Sequence, residues 1–282
     1  NVVGTRPGAK PRPNVLLEAH LDTVFPEGTD VTIKREGSVL KAPGIGDDTR
    51  GLASMLATIR ALNEAKVQTP GTLTFVADVG EEGLGDLRGT KAIFRETLKD
   101  QIDYFISIDG ADPTQIVFMG VGSYRYRVTF KGPGGHSYGA FGLVNPIHAL
   151  GRAVAKIDAI QVPVNPKTTF NVGVIGGGTS VNSIPFEGWF EVDMRSPDAA
   201  SLETTKEKIT AAINEAVKEE NERWNHKGEV TVDIKLVGYR PCGQTPPDSP
   251  IVAAAQSAVR AIGLRPMLTA SSTNSNVPMQ LG

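Results

Sequence analysis

Apolar residues gather in short runs along the opening third of the chain, and each run closes on an acid or a histidine. Val15-Leu16-Leu17-Glu18-Ala19 precedes His20, Thr72-Leu73-Thr74-Phe75-Val76-Ala77 precedes the Glu81-Glu82 pair, and Tyr104-Phe105-Ile106-Ser107-Ile108 precedes Asp109. Runs of this length read as buried strands. Between the first two, Leu52, Met55, Leu56, Ile59 and Leu62 recur at helical spacing toward Val67, and Thr69-Pro70-Gly71 then breaks the chain. Strands separated by helices predict an α/β domain: a mostly parallel sheet with helices on both faces and functional residues at the strands' carboxyl ends.

The pattern changes near Gly120. Tyr124 to Lys131 alternates as a strand does, and Gly132-Pro133-Gly134-Gly135 follows as a tight loop. A helix is predicted over Pro146 to Ile157, strands over Thr168 to Ile175 and Gly188 to Met194, and a long charged helix over Ser201 to Trp224. Leu202, Ile209, Ile213 and Val217 mark the buried face of that helix. Val230 to Val237 alternates again. The order β-α-β-β-α-β predicts a ferredoxin-like α+β unit inserted into the first domain. The expected boundaries are 1–119 with 239–282 for the outer domain and 120–238 for the insertion. A helix over Ile251 to Ile262 and a strand over Pro266 to Ala270 return the chain to the outer domain.

Composition narrows the function. Hydrophobic residues at 40% and charged residues at 21% describe an ordinary globular chain of 282 residues. A net charge of -2, with no basic stripe, speaks against nucleic acid or an anionic membrane as partner. No apolar run reaches the roughly 18 to 20 residues of a membrane span. The single cysteine, Cys242, forms no internal disulfide and reads as a small, partly buried residue. Asn1-Val2-Val3-Gly4 resembles neither a signal peptide nor a natural start, so the chain reads as a fragment. A cytoplasmic location is favoured, with a secreted or periplasmic one left open.

The chemistry lies at the strand ends. In His20-Leu21-Asp22 the first and third residues share a side of an extended segment, so a carboxylate can fix the imidazole tautomer and aim the other nitrogen at a metal. A simple structural pair fits the same spacing. Gly44-Ile45-Gly46-Asp47-Asp48 stands before the first helix, where Asp47 can offer an oxygen to each of two cations and Asp48 can cap the helix. Gly80-Glu81-Glu82-Gly83 places two adjacent acids after a buried strand, a costly arrangement without a cation or partner. One acid can bind metal while its neighbour moves a proton. Singly, each motif has an ordinary loop or cap reading; together, several strand ends delivering ligand types point to a metal-dependent hydrolase using a borderline cation such as zinc.

Six stretches carry a resemblance: Glu18-Ala19-His20-Leu21-Asp22-Thr23-Val24, Gly44-Ile45-Gly46-Asp47-Asp48, Gly80-Glu81-Glu82-Gly83, Ser107-Ile108-Asp109-Gly110, Gly132-Pro133-Gly134-Gly135-His136-Ser137 and Val181-Asn182-Ser183-Ile184-Pro185. The chain resembles the M20 family of co-catalytic zinc peptidases over essentially its whole length. The resemblance implies two zinc ions, with cobalt or manganese as substitutes. Asp47 would bridge them, His20 and Asp109 would complete one site, and Glu82 would serve the other. Glu81 would be the general base, Asp22 would orient His20, and the Asp47–Asp48 peptide would be cis.

The same resemblance makes the inserted domain a lid and dimerisation domain. His136 would reach the neighbouring subunit's centre, and Asn182 and Arg195 would contact substrate. For Arg195 a structural salt bridge is the competing reading. Arg240 reads as a domain-junction ion pair or a substrate contact, His148 as packing or dimer surface, and His226 as a solvated turn residue. The family's last zinc ligand, a histidine beyond a segment like Ser272-Thr273-Asn274-Ser275-Asn276-Val277-Pro278, has no counterpart in this chain. The implied activity is exopeptidase cleavage of short peptides. The alternatives are an N-acyl-amino-acid amidohydrolase and a catalytically impaired peptide-binding homologue.

Overall fold

The computed structural model describes residues 1–282 and builds the opening third from the apolar runs. Its elements are β1 (Val2–Arg6), β2 (Asn14–His20), β3 (Lys34–Glu36), β4 (Val39–Lys41), α1 (Arg50–Glu64), β5 (Thr72–Asp78), α2 (Arg88–Ala92), β6 (Tyr104–Ser107) and β7 (Gln115–Gly120). β2 lies between β5 and β6 and runs parallel to both, with Leu17 opposite Phe75 on one side and Ile106 on the other. β1 pairs antiparallel with β5 at the edge. Leu16, Val76 and Ile93 form the buried centre, with Phe94, Leu98, Ile102 and Phe105 packed around them. Phe94 and Phe105 meet edge to face at 5.5 Å.

One compact unit comprises Asn1–Gly120 with Arg240–Gly282, and the other is Val121–Tyr239. The second contains β8 (Gly122–Lys131), β9 (Gly135–His136), α3 (Pro146–Asp158), β10 (Thr169–Gly177), β11 (Ser183–Ile184), β12 (Glu187–Ser196), α4 (Ala199–Arg223) and β13 (Thr231–Arg240), whose last residue belongs to the first unit. Its main sheet has the order β10-β12-β8-β13, the ferredoxin-like arrangement of a β-α-β-β-α-β chain. Both helices pack on β12 and β8, covering Phe130, Phe190, Val192 and Met194 with Leu150, Ile157, Leu202, Ile209 and Ile213. Asn145 caps α3 by accepting from Ile147 N–H at 2.9 Å, and Pro146 stands at the first helical position. Asp198 caps α4 in the same manner through Ser201 N–H.

The first unit closes with β14 (Gly243–Gln244), α5 (Pro250–Ala261), β15 (Met267–Ser271) and α6 (Asn276–Leu281). Here the structure departs from the single mostly parallel sheet expected. β15 runs parallel to β7 and β14 pairs with its other edge, so these strands form a sheet separate from β1-β5-β2-β6. β6 has four residues and contributes hydrogen bonds only toward β2, which leaves the two ladders unjoined. The fold is mixed α/β with several sheets. The apolar stripe of α1 also turns differently from its pattern: Met55 is buried, whereas Leu56 is exposed. No helix is long and apolar enough to cross a membrane.

Candidate metal centre and catalytic residues

His20 ends β2 and is buried, and its two ring nitrogens have different partners. Nδ1 lies 2.8 Å from the carbonyl oxygen of Asp22, so it carries the proton and donates. Nε2 is thereby directed at Asp47, 2.9 Å from Oδ1, and at Asp109, 4.0 Å from Oδ1. A fixed tautomer that leaves one nitrogen facing carboxylates is the orientation a metal ligand needs.

The Asp22 carboxylate does something the sequence did not suggest. Its oxygen stands 3.9 Å from the His20 ring, and it accepts instead from three successive backbone amides. Gly80 N–H reaches Oδ1 at 2.7 Å, Glu81 N–H reaches Oδ1 at 3.2 Å, and Glu82 N–H reaches Oδ2 at 2.9 Å. Burial works to raise the Asp22 pKa, but the amides of Glu82, Gly80 and Glu81 outweigh it and hold the group below the usual carboxylate value. Gly80 makes the turn possible, since its φ of 86° is strained for any residue bearing a side chain.

Asp47 lies in the irregular turn Ile45–Thr49, and the Asp47–Asp48 peptide is cis. Asp47 is exposed and Asp48 is buried. Asp48 Oδ2 accepts from His20 N–H at 3.0 Å and Oδ1 accepts from Gly51 N–H at 3.1 Å, so one carboxylate joins the end of β2 to the start of α1. The expected cap is present, with a second bond added.

Two groups of side chains in this unit have ligand geometry: His20 with Glu81 and Glu82, and His20 with Asp47 and Asp109. Within each, one candidate ligand atom per residue lies within 4.8 Å of the others. Electrostatics give a second sign that a cation fits. Burial pushes Glu81 up to about 6 despite Arg240, and pushes Glu82 and Asp109 upward as well. Burial opposes protonation of His20, yet Asp109, the Asp22 carbonyl, Asp48 and Glu81 together raise it to about 9. Acids held back from ionising around an imidazole held charged form a cluster short of positive charge. A divalent cation supplies that charge and competes for the same imidazole nitrogen. The mix of imidazole and carboxylate donors suits zinc, with manganese and cobalt close behind.

An ion pair was one of the two readings of Arg240 and it is present, with a partner the sequence did not name; the surroundings of Glu18 were not legible beforehand. Arg240 is buried, and its Nη1 donates to Glu81 Oε1 at 2.8 Å. Glu18, two residues before His20 on the same side of β2, is buried between Ser107 Oγ at 2.7 Å and Asn274 Nδ2 at 2.8 Å. Burial raises the Glu18 pKa to about 8, against the hydrogen bonds from Ser107 and Asn274 that pull it down. The only advance signal for Glu18 was an acid at an inward strand position.

His136, Asn182 and Arg195 lie in the second unit. His136 is exposed on β9, whose partner strand β11 begins beside Asn182, and Ser137 N–H donates to the Asn182 carbonyl at 2.9 Å. His136 Nδ1 accepts from the amides of Tyr138 and Gly139, both at 3.3 Å, which leaves Nε2–H as an outward donor. Arg195, on β12, donates through Nε to Asp193 at 2.8 Å, and Asp193 also receives Arg125. The salt bridge weighed for Arg195 is therefore present. His148 and His226 are exposed, and Cys242 is half-buried.

The sequence pattern of peptidase family M20/M25/M40 matches residues 16–278. The chain is 27% identical over 256 residues to the YqjE protein of Bacillus subtilis, covering 85% of this chain and 63% of that protein. It is 26% identical to a probable carboxypeptidase of Talaromyces marneffei, covering 83% of this chain and 58% of the relative. Among solved structures, aminopeptidase PepT from Bacillus cereus aligns with a TM-score of 0.74 at 25% identity, over 99% of this chain and 73% of that one. The chain thus spans about three-fifths of the length of these curated relatives.

Proposed function

Because the chain belongs to peptidase family M20/M25/M40, we propose that it is a metal-dependent hydrolase that cleaves an amide bond of a short peptide as an exopeptidase. The observation that carries this reading is the gathering of His20, Asp47, Glu81, Glu82 and Asp109 from separate strand ends and turns into two overlapping ligand groups. Two zinc ions would be held by His20, Asp47, Glu82 and Asp109. When bound, they polarise the scissile carbonyl and acidify water.

Glu81 takes a proton from the attacking water as the water oxygen bonds to the carbonyl carbon. The carbon–nitrogen bond then breaks, and Glu81 returns the proton to the leaving amine. Asp22 holds the turn that presents Glu81 and Glu82, and its carbonyl keeps His20 in the ligating tautomer. In a homodimer formed through the inserted unit, His136 offers its outward Nε2–H to the oxyanion at the centre of a second copy. Removing such a donor costs about 10²–10³ in rate. Asn182 and Arg195 contact the substrate, Arg195 through a carboxylate and with its guanidinium oriented by Asp193.

The test is hydrolysis by zinc-reconstituted protein of matched short peptides with free and acetylated amino termini. Cleavage abolished by a chelator supports the reading, and tolerance of acetylation points to a carboxypeptidase or acylase. No cleavage of either peptide overturns it. Glu81→Gln is expected to lower kcat by about 10²–10⁴ with zinc content unchanged, and unchanged turnover would remove Glu81 from the mechanism.

A further inference from the structure

Glu81 is gripped at every polar point of its backbone. Its N–H is taken by Asp22 Oδ1, and its carbonyl oxygen receives Arg240 Nη2. The same guanidinium donates through Nη1 to Glu81 Oε1 at 2.8 Å, so one side chain holds both the main chain and the carboxylate of a single residue. Arg240 is itself anchored. Nη1 also lies 3.2 Å from the carbonyl oxygen and 3.3 Å from Oγ of Ser272, immediately after β15. Both partners are nearly sealed from solvent, Arg240 at 5% exposed and Glu81 at 6%.

We propose that Arg240 is a positioning residue for Glu81, fixing one carboxylate oxygen so that the other faces the reacting water. This rests on the hydrolase reading for its catalytic meaning, while the grip itself is a property of the fold. A proton acceptor works only when aimed, and misplacement by about 1 Å can cost around a hundredfold in rate. A glutamate side chain alone has too many rotatable bonds to be so aimed. A planar guanidinium with two N–H groups on one residue removes that freedom, and a lysine's single ammonium cannot reproduce the fork.

The experiment measures kcat, KM and zinc content for Arg240→Ala, Arg240→Lys and Glu81→Gln, with and without added guanidinium ion at low millimolar concentration. Arg240→Ala is expected to lose about a hundredfold in kcat, with KM and zinc content near the parent values. Guanidinium should restore part of that loss and do nothing for Glu81→Gln. Arg240→Lys should stay impaired. Unchanged kcat, a loss confined to KM, a loss that follows zinc content, or no response to guanidinium would each overturn the proposal.

Should Arg240→Ala fail to fold, Arg240→Lys decides by the same criteria. A double-mutant cycle on the denaturant unfolding of metal-free protein reads the grip without activity. Arg240→Lys and Glu81→Gln should be coupled by about tenfold in the unfolding constant, and additivity would overturn the proposal. If the parent protein cleaves no peptide, the hydrolase reading falls and this cycle alone decides whether Arg240 holds Glu81.

Discussion

Gly51 has no space for a side chain. A Cβ there would sit 2.2 Å from Asp48 Oδ1 and 2.2 Å from the Ile108 carbonyl oxygen. Asp48 also holds the His20 amide, so Gly51→Ala must push on the end of β2. It is expected to lower stability by about 1–3 kcal/mol and to weaken zinc binding, read by denaturant titration and calorimetry; unchanged affinity would show that the strand end tolerates the shift. Asp22→Ala strands three amides and is expected to reduce kcat and zinc affinity together, while Asp22→Asn, which keeps one acceptor oxygen but sets an NH2 against a remaining amide, should retain part of both. Parent-like values in Asp22→Ala would show that the turn holds its shape without the carboxylate. His20, Glu81, Glu82 and Asp109 were legible in the sequence because each lies at or just past the end of an apolar run, and Asp47 because it stands in a glycine-rich turn before a helix. The partners of those residues were not, because Asp22 meets Glu82 across 60 positions and Arg240 meets Glu81 across 159, and no local period records such a meeting.

Among the elements, alternation was a good guide wherever one face of a strand meets helices. Tyr124 to Lys131 alternates because Val128 and Phe130 face α3 and α4 while Arg125 and Arg127 pair with Asp193 and Glu191 on the other face. Strands of two residues, such as β9, β11 and β14, left no trace, since a period of two needs more than two positions to show. α4 is densely charged, yet one of its acids, Glu220, is fully buried. It accepts from Asn145 N–H at 3.0 Å, Trp224 Nε1 at 3.0 Å and Arg152 Nε at 3.2 Å. Glu220→Ala would strand all three donors and should destabilise the second unit by about 2–4 kcal/mol. A midpoint shift in urea checks this, and a change below about 0.5 kcal/mol would show that water replaces the carboxylate.

At the scale of the whole molecule, the ligand groups fall entirely within the unit made of Asn1–Gly120 and Arg240–Gly282. Zinc that binds only the folded state should stabilise that unit by about 3–4 kcal/mol at concentrations of 100 to 1,000 times Kd. Hydrogen exchange should therefore slow in β2, β5 and the Gly80–Gly83 turn on adding zinc, with the amides of α3 and α4 little changed. Uniform protection of both units would indicate that they unfold together. The separation of β7, β14 and β15 from the main sheet was not readable in the sequence, because strand partners are chosen by geometry that no single run encodes.

The three amides collected by Asp22 bear on anyone who would transplant this centre. Copying the proposed ligand side chains onto a foreign scaffold would carry over His20, Asp47, Glu82 and Asp109 but not the shape of the turn that presents the glutamates. That shape is specified by a carboxylate two residues past the histidine and by a glycine at φ 86°. The smallest portable piece is thus not a set of ligands but two strand ends stitched together, and a graft that omits Asp22 should be built as though its acceptor loop had no instructions.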